Sequence, residues 1–142
     1  MATHSDIIEL FQRRRLRLSE QRLLIYSYLL EHRTHPAAEG IYRDLLPDHP
    51  SLSLTTVYNT LRFLAENRLI VPVMIEDGEV RYDADVSFHA HFKCRHCHRI
   101  FDIPVSHEER LAILPGSGFK VESVHLDYYG CCPGCAAAQA GE

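Results

Sequence analysis

No stretch of this sequence is apolar and long enough to cross a membrane, no tract is of low complexity, and nothing recurs at solenoid spacing. These absences exclude a helical membrane protein, a disordered tail and a repeat array. Nothing at the N-terminus resembles a secretory leader, so the expectation is a soluble protein of the reducing cytoplasm. Positive charge is not in excess either. With 15 Lys and Arg against 19 Asp and Glu the net charge is −4, which argues against a chain that coats nucleic acid indiscriminately. Charge is local, however: Arg13, Arg14, Arg15, Arg17 and Arg22 crowd one stretch that only Glu20 opposes. That run is either a solvated helix end or a phosphate-facing surface.

Cysteine, by contrast, is concentrated where it can do chemistry. Cys94/Cys97 and Cys132/Cys135 form two Cys-x-x-Cys pairs in the last third of the chain. Two thiolates three positions apart can occupy adjacent corners of a tetrahedron about a soft divalent ion, and a second pair completes the sphere. A pair of disulfides or a thioredoxin-like redox motif are the alternatives; the cytoplasmic setting disfavours the first, and the second needs only one pair. A structural Zn(II) site on the four cysteines is the reading taken. Cys131 is left out of it, because Cys132-Pro133-Gly134-Cys135 has the tight gap and the turn; Cys131 is expected to be a small buried thiol. At 142 residues the chain suffices for one ordinary domain or two small ones, and a small domain often needs such a metal staple.

Periodicity divides the chain in two. Ile7, Ile8, Leu10 and Phe11 mark a first short helix; Ser19 is an N-cap for a second over residues 20–31, with Leu23, Leu24, Tyr26, Ser27 and Leu30 at helical spacing. Pro36 suits the first turn of a third helix ending near Leu46, and a fourth spans residues 54–67 with Val57, Leu61 and Leu64 inward. Residues 69–75 and 79–82 alternate around Asp77-Gly78, a hairpin signal. Helices followed by a two-stranded ribbon describe a winged helix, in which one helix enters the major groove. A helical core domain with a stray hairpin is the plainer alternative.

From about Asp85 the character changes. Residues 92–94 and 100–103 read as strands around the first Cys-x-x-Cys, 106–114 as a helix, 119–129 as one long strand, and 132–139 as a closing helix. The fold class expected is therefore α+β, with an N-terminal winged-helix DNA-binding domain (1–84) and a C-terminal α/β dimerisation domain (85–142) carrying the zinc. A sheet with a bare edge tends to pair with its twin, so a homodimer is expected. Between the halves lies a loaded cluster: His35, Asp83, His89, His91 and Asp102. Nitrogen and hard oxygen donors without thiolate favour Fe(II), Mn(II), Co(II) or Zn(II) over Cu(I).

Several stretches together resemble the ferric uptake regulator family of metal-dependent repressors, and within it the peroxide-sensing (PerR) branch. They are Leu18-Ser19-Glu20-Gln21-Arg22, the run from His35 to Tyr42, Thr55-Thr56-Val57-Tyr58-Asn59-Thr60-Leu61, Arg81-Tyr82-Asp83, the run from His89 to Cys97, Ile100-Phe101-Asp102, Gly118-Phe119, and Tyr129 through Cys135. The resemblance implies the four-cysteine zinc site and a regulatory Fe(II) or Mn(II) site at His35, Asp83, His89, His91 and Asp102. Aspartate at position 83 matches the peroxide-sensing branch, where iron sensors typically carry glutamate. It implies oxidation of His35 or His89 by hydrogen peroxide when iron is bound, and binding of a palindromic double-stranded operator. The family's additional interdomain site does not carry over, since Phe88 and Ala90 stand where ligands often do and His125 is offset.

Arg17 is placed like the basic residue that family members insert into an A·T-rich minor groove. Tyr58, Asn59, Thr56 and Arg62 on the fourth helix are candidate base or phosphate contacts, and Arg22 either binds phosphate or braces the fold. An iron- or manganese-availability regulator without peroxide sensing is the alternative within the class. From other classes, a metallohydrolase would need room for an activated water and an acid/base or nucleophile motif that is not evident. A zinc-ribbon RNA-binding module would leave the winged-helix pattern and His35 unexplained. The chain is thus read as a regulator and not an enzyme.

Overall fold

The computed structural model describes residues 2–74 and 78–140, and these form two compact units, residues 1–86 and 87–142. Asp77 of the expected hairpin turn lies outside the described residues. The first unit runs α1 (His4–Arg13), α2 (Glu20–Glu31), α3 (Ala38–Leu45), α4 (Leu54–Glu66), β1 (Val71–Met74) and β2 (Val80–Asp83). Helices followed by an antiparallel ribbon make the winged helix, with Val71 opposite Asp83 and Met74 opposite Val80. Gly78, on the approach to β2, has φ +72, a conformation that costs glycine nothing.

Local chemistry sets the helix starts. Thr3 and Asp6 form a capping box on α1, the Ser19 hydroxyl accepts from the Arg22 N–H, and the Ser53 hydroxyl accepts from the Thr56 N–H. At the far end of α4, Arg14 donates to the Asn67 carbonyl at 2.5 Å, so α1's arginine run helps satisfy a helix terminus. The core joins Ile7 and Phe11 of α1, Ile25 and Leu29 of α2, Ile41 of α3, and Val57, Leu61 and Leu64 of α4.

Two expectations need correction here. Helix α2 buries Ile25, Tyr26, Tyr28 and Leu29, whereas Leu23, Leu24, Ser27 and Leu30 are only partly covered. Its sequence is apolar almost all round, so spacing alone could not select the inner face. Helix α3 starts at Ala38, later than Pro36 suggested, because 36–37 are extended and bound to the wing: Ala37 bridges to Arg81 and the Tyr82 N–H donates to the Pro36 carbonyl at 3.0 Å.

The second unit runs β3 (Ala90–Cys94), β4 (Ile100–Ile103), α5 (His107–Ile113), β5 (Asp127–Gly130) and α6 (Pro133–Ala140). β3 is central, antiparallel to β4 and parallel to β5. Ser106 and Glu109 form a capping box on α5, and Pro133 opens α6, where its missing N–H is harmless. The long strand expected over 119–129 is regular only from Asp127 onward. Residues 119–125 have no ladder partner among the described residues, and a strand exists only through its ladder; the Leu126 carbonyl already accepts from the His91 N–H at 3.0 Å. Cys131 is half-buried rather than buried, its thiol facing the Cys132 carbonyl at 3.7 Å, since the chain turns there from β5 into α6.

The opposed faces of α4 give a direct check on the first unit. Leu61 is fully buried and Arg62 exposed, so Leu61→Ala should cost about 2–5 kcal/mol of unfolding free energy. Arg62→Ala should fall within about 0.5 kcal/mol of the parent. Urea titrations followed by circular dichroism would show it, and equal losses would mean that the helix is turned differently.

Candidate functional site

The zinc candidates converge at the end of the central strand. Cys94 closes β3 opposite Gly130, Cys97 lies in the turn before β4, Cys132 immediately precedes α6, and Cys135 sits in its first turn. One sulfur from each of the four lies within 4.8 Å of the others. The Cys97 and Cys132 sulfurs are 3.9 Å apart. A Zn–S bond of about 2.3 Å gives a tetrahedral edge of about 3.8 Å, so the thiols have the spacing zinc requires. All five cysteines are free, and a disulfide would need sulfurs about 2.05 Å apart.

Backbone geometry also prepares the ligands. The N–H groups of Cys97 and Cys132 point at the Cys94 sulfur at 3.5 and 3.4 Å. The first holds the Cys94 thiol down to about 5, against the opposing pull of burial, and the second adds to it. Cys135, chiefly through its hydrogen bond with Cys132, is pushed up to about 12. Four clustered thiols thus share their protons unequally, and a divalent cation displaces those that remain.

The nitrogen and oxygen donors fall into one group in each unit. In the first, His35 Nε2 lies 3.3 Å from Asp83 Oδ2, both side chains buried. The His35 backbone has φ +55, an unusual conformation for a residue with a side chain, of the kind that clusters at functional sites and costs about 1–3 kcal/mol. Asp83 ends β2, and its other oxygen accepts from the Asp85 N–H at 2.8 Å, which fixes the carboxylate.

In the second unit, His89 Nε2 and His91 Nε2 are 3.1 Å apart, and Asp102 Oδ1 lies 3.3 Å from the first and 3.5 Å from the second. Adjacent donors about an ion with bonds of about 2.1 Å are separated by roughly 3.0 Å in an octahedron and 3.4 Å in a tetrahedron. The three atoms therefore have the spacing of one face of a coordination polyhedron. His89 Nδ1 faces the Ser87 carbonyl at 2.8 Å, an arrangement that keeps the proton on Nδ1 and the lone pair on Nε2. His91 Nδ1 faces Asp127 at 4.0 Å. Asp127 was not among the expected residues; nothing marks it in sequence, because only the β3–β5 register brings it opposite His91.

The candidate nucleic-acid face is on the first unit. Thr55, Tyr58, Asn59 and Arg62 are exposed at the i, i+3, i+4 and i+7 positions of α4, opposite buried Val57, Leu61 and Leu64. Thr55 escaped the residue-by-residue reading although its spacing with Tyr58 and Arg62 signals it. Thr56 is half-buried and turned into the N-cap, its hydroxyl accepting from Ser53 at 2.8 Å. Tyr58 is 41 % exposed, so it is not a core aromatic. Arg17 is exposed, whereas Arg22 donates to the Arg17 carbonyl and lies 3.4 Å over the Phe63 ring. Arg22 is thus a brace for the loop that carries Arg17.

The ferric uptake regulator family model matches residues 13–129. The chain belongs to this family. The Bacillus subtilis (strain 168) peroxide operon regulator is 34% identical over 140 residues, covering 96% of this chain and 97% of that protein. The Helicobacter pylori ferric uptake regulator Fur superposes with a TM-score of 0.76 at 23% identity, over 95% of each chain, which concerns the fold alone. PerR from Streptococcus pyogenes is 30% identical with a TM-score of 0.54, over 95% of this chain and 94% of that one. Cys132 and Cys135 lie beyond the family match, so their place in the metal centre rests on the geometry. No helix among the described residues is long and apolar enough to cross a membrane.

If the four sulfurs hold zinc, a Cys94→Ser/Cys132→Ser double variant should lose the metal and the hydrogen-exchange protection of β3 and β5, while α2 and α4 stay protected. Elemental analysis and exchange mass spectrometry report the two quantities. Zinc at full stoichiometry in the variant would remove these cysteines from the site.

Proposed function

We propose that this chain is a metal-dependent DNA-binding transcriptional repressor, released from its operator by hydrogen peroxide. The observation that carries the reading is the two-histidine, one-carboxylate set of His89, His91 and Asp102, with donor atoms 3.1–3.5 Å apart. Such a face holds ferrous iron and leaves positions open. His35 and Asp83 offer two further donors from the first unit. A single Fe(II) or Mn(II) ion bound by all five would favour one arrangement of the two units, by as much as the closed form binds it better than the open one. The peroxide-responsive names of the Bacillus and Streptococcus relatives support the peroxide branch of this reading.

Bound iron would supply the activation of hydrogen peroxide, with no net change in its own oxidation state. The protein's part is to hold His35 and His89 as the imidazoles that take up the oxygen. The ring carbon is oxidised by two electrons as its C–H becomes a carbonyl and the hydrogen moves to a ring nitrogen; one peroxide oxygen is gained and the other leaves as water. The altered ring is a poorer donor, so the hold on the first unit loosens. On the DNA side, Tyr58, Asn59 and Arg62 would meet the major groove and Arg17 the minor groove. A homodimer fits two half-sites of a palindrome. The exposed Leu111, Ile113, Phe119, Val121 and Tyr128 suit a second copy, whose chain would give residues 119–125 the ladder they lack. Zinc in the cysteine site would be permanent, and the site of action the cytoplasm, where thiols stay reduced.

The test is anaerobic loading with Fe(II) or Mn(II), a pulse of dilute peroxide, then intact mass and operator binding on the same sample. The Fe(II) form should gain one oxygen on a peptide containing His35 or His89 and lose its operator, and the Mn(II) form should keep both mass and affinity. Asp83→Glu should reduce the oxidation while preserving metal-dependent binding, because the longer carboxylate alters the coordination and not the charge. An Fe(II) form that survives with unmodified histidines and DNA bound would make the chain a sensor of metal availability instead.

A further inference from the structure

Tyr58 stands on the exposed face of α4, yet its hydroxyl is not available to a phosphate. It donates to Glu39 Oε1 of α3 at 2.5 Å, a short bond to an ionised acceptor. The same bond holds the Tyr58 phenol above its usual range and the Glu39 carboxyl below its own. Both residues line a cleft of about 430 Å³ between α3, α4 and the wing, together with Gly78, Glu79, Val80 and Tyr82. Of the two acidic side chains in that lining Glu79 is paired with Arg81 at 3.5 Å, so Glu39 is the carboxylate that engages the phenol. A phenol already bonded to a carboxylate has its one proton engaged and none left for a phosphate.

We propose that Glu39 is a specificity-determining positioning residue: by holding the Tyr58 hydroxyl it turns the tyrosine from a phosphate contact into a reader of the thymine methyl group. The ring that remains exposed is apolar, and the thymine C5-methyl is the apolar feature of the major-groove edge. Fixing the ring before binding also spares the ordering of a side chain at the interface. This inference rests on the reading of α4 as the recognition helix.

The probe is a palindromic duplex selected from a random library by the full, Mn(II)-loaded chain, synthesised with thymine or with uracil at each contacted position. Uracil lacks the methyl group and keeps the hydrogen-bonding edge. The parent should bind the uracil duplex about fourfold more weakly at the position Tyr58 reads, the effect of one buried methyl-sized group. Glu39→Ala should erase that difference and steepen the salt dependence, as the freed hydroxyl turns to phosphate. Glu39→Gln, whose carbonyl can still accept the bond, should keep the difference. A thymine preference unchanged in Glu39→Ala overturns the proposal, and so does its loss in Glu39→Gln, which would make charge alone responsible. If Tyr58→Ala and Arg62→Ala both bind the selected duplex like the parent, the recognition-helix reading itself has failed.

Discussion

A slip of one residue in β3 would dismantle the candidate metal centres, against β4 the set of His89, His91 and Asp102 and against β5 the four cysteines. His91 stands opposite Asp102 on β4 and opposite Asp127 on β5, so the imidazole lies in one row between two carboxylates. Three residues on, Cys94 stands opposite Gly130, and it is this pairing that brings the start of α6 with Cys132 and Cys135 to the first Cys-x-x-Cys. Because successive side chains in a strand point to opposite faces, a slip would turn His91 away from Asp102 and Cys94 away from its partners. The register is in turn held where the cysteines are, through the Arg95 N–H to the Gly130 carbonyl at 2.7 Å and the Cys94 N–H to the Arg99 carbonyl at 3.0 Å. A cation bound by the four sulfurs pins strand, turn and helix together, which a unit of this size, with few large apolar side chains buried, needs for its order.

The same strand carries a buried cation of the protein's own. Lys93 is 2 % exposed, and its ammonium donates to the His98 carbonyl at 3.1 Å, across the turn that holds Cys97. His98 itself has φ +62, so the turn depends on a strained residue whose carbonyl a lysine secures. Replacing Lys93 by an apolar side chain would take this brace away from the turn that holds Cys97.

What was legible in the sequence follows from which signals are local. The Ser19 cap acts within one helical turn, so the start of α2 was readable. The Cys-x-x-Cys pairs were readable for the same reason, since their spacing is a property of short segments. What depended on tertiary registration was not. The inner face of α2 is chosen by what packs around it, Pro36 is drawn into an extended bridge by the wing, and Asp127 meets His91 only through a parallel pairing between residues far apart in the chain. Residues 119–126 have the alternation of a strand, and alternation records a face and not a partner.

The two kinds of donor also divide the labour between metals. Thiolates are soft and bind zinc tightly enough that the ion belongs to the fold, whereas imidazole and carboxylate follow the general order of divalent affinities and exchange with supply. His91 and Cys94 are three residues apart on one strand, so an exchangeable ion on His89, His91 and Asp102 would sit in a frame that zinc on the four cysteines had already set. A sensor needs this separation. Were the signalling ion also the structural one, its departure would unfold the unit instead of releasing the DNA, and the reading of metal or peroxide could not be reversed by rebinding.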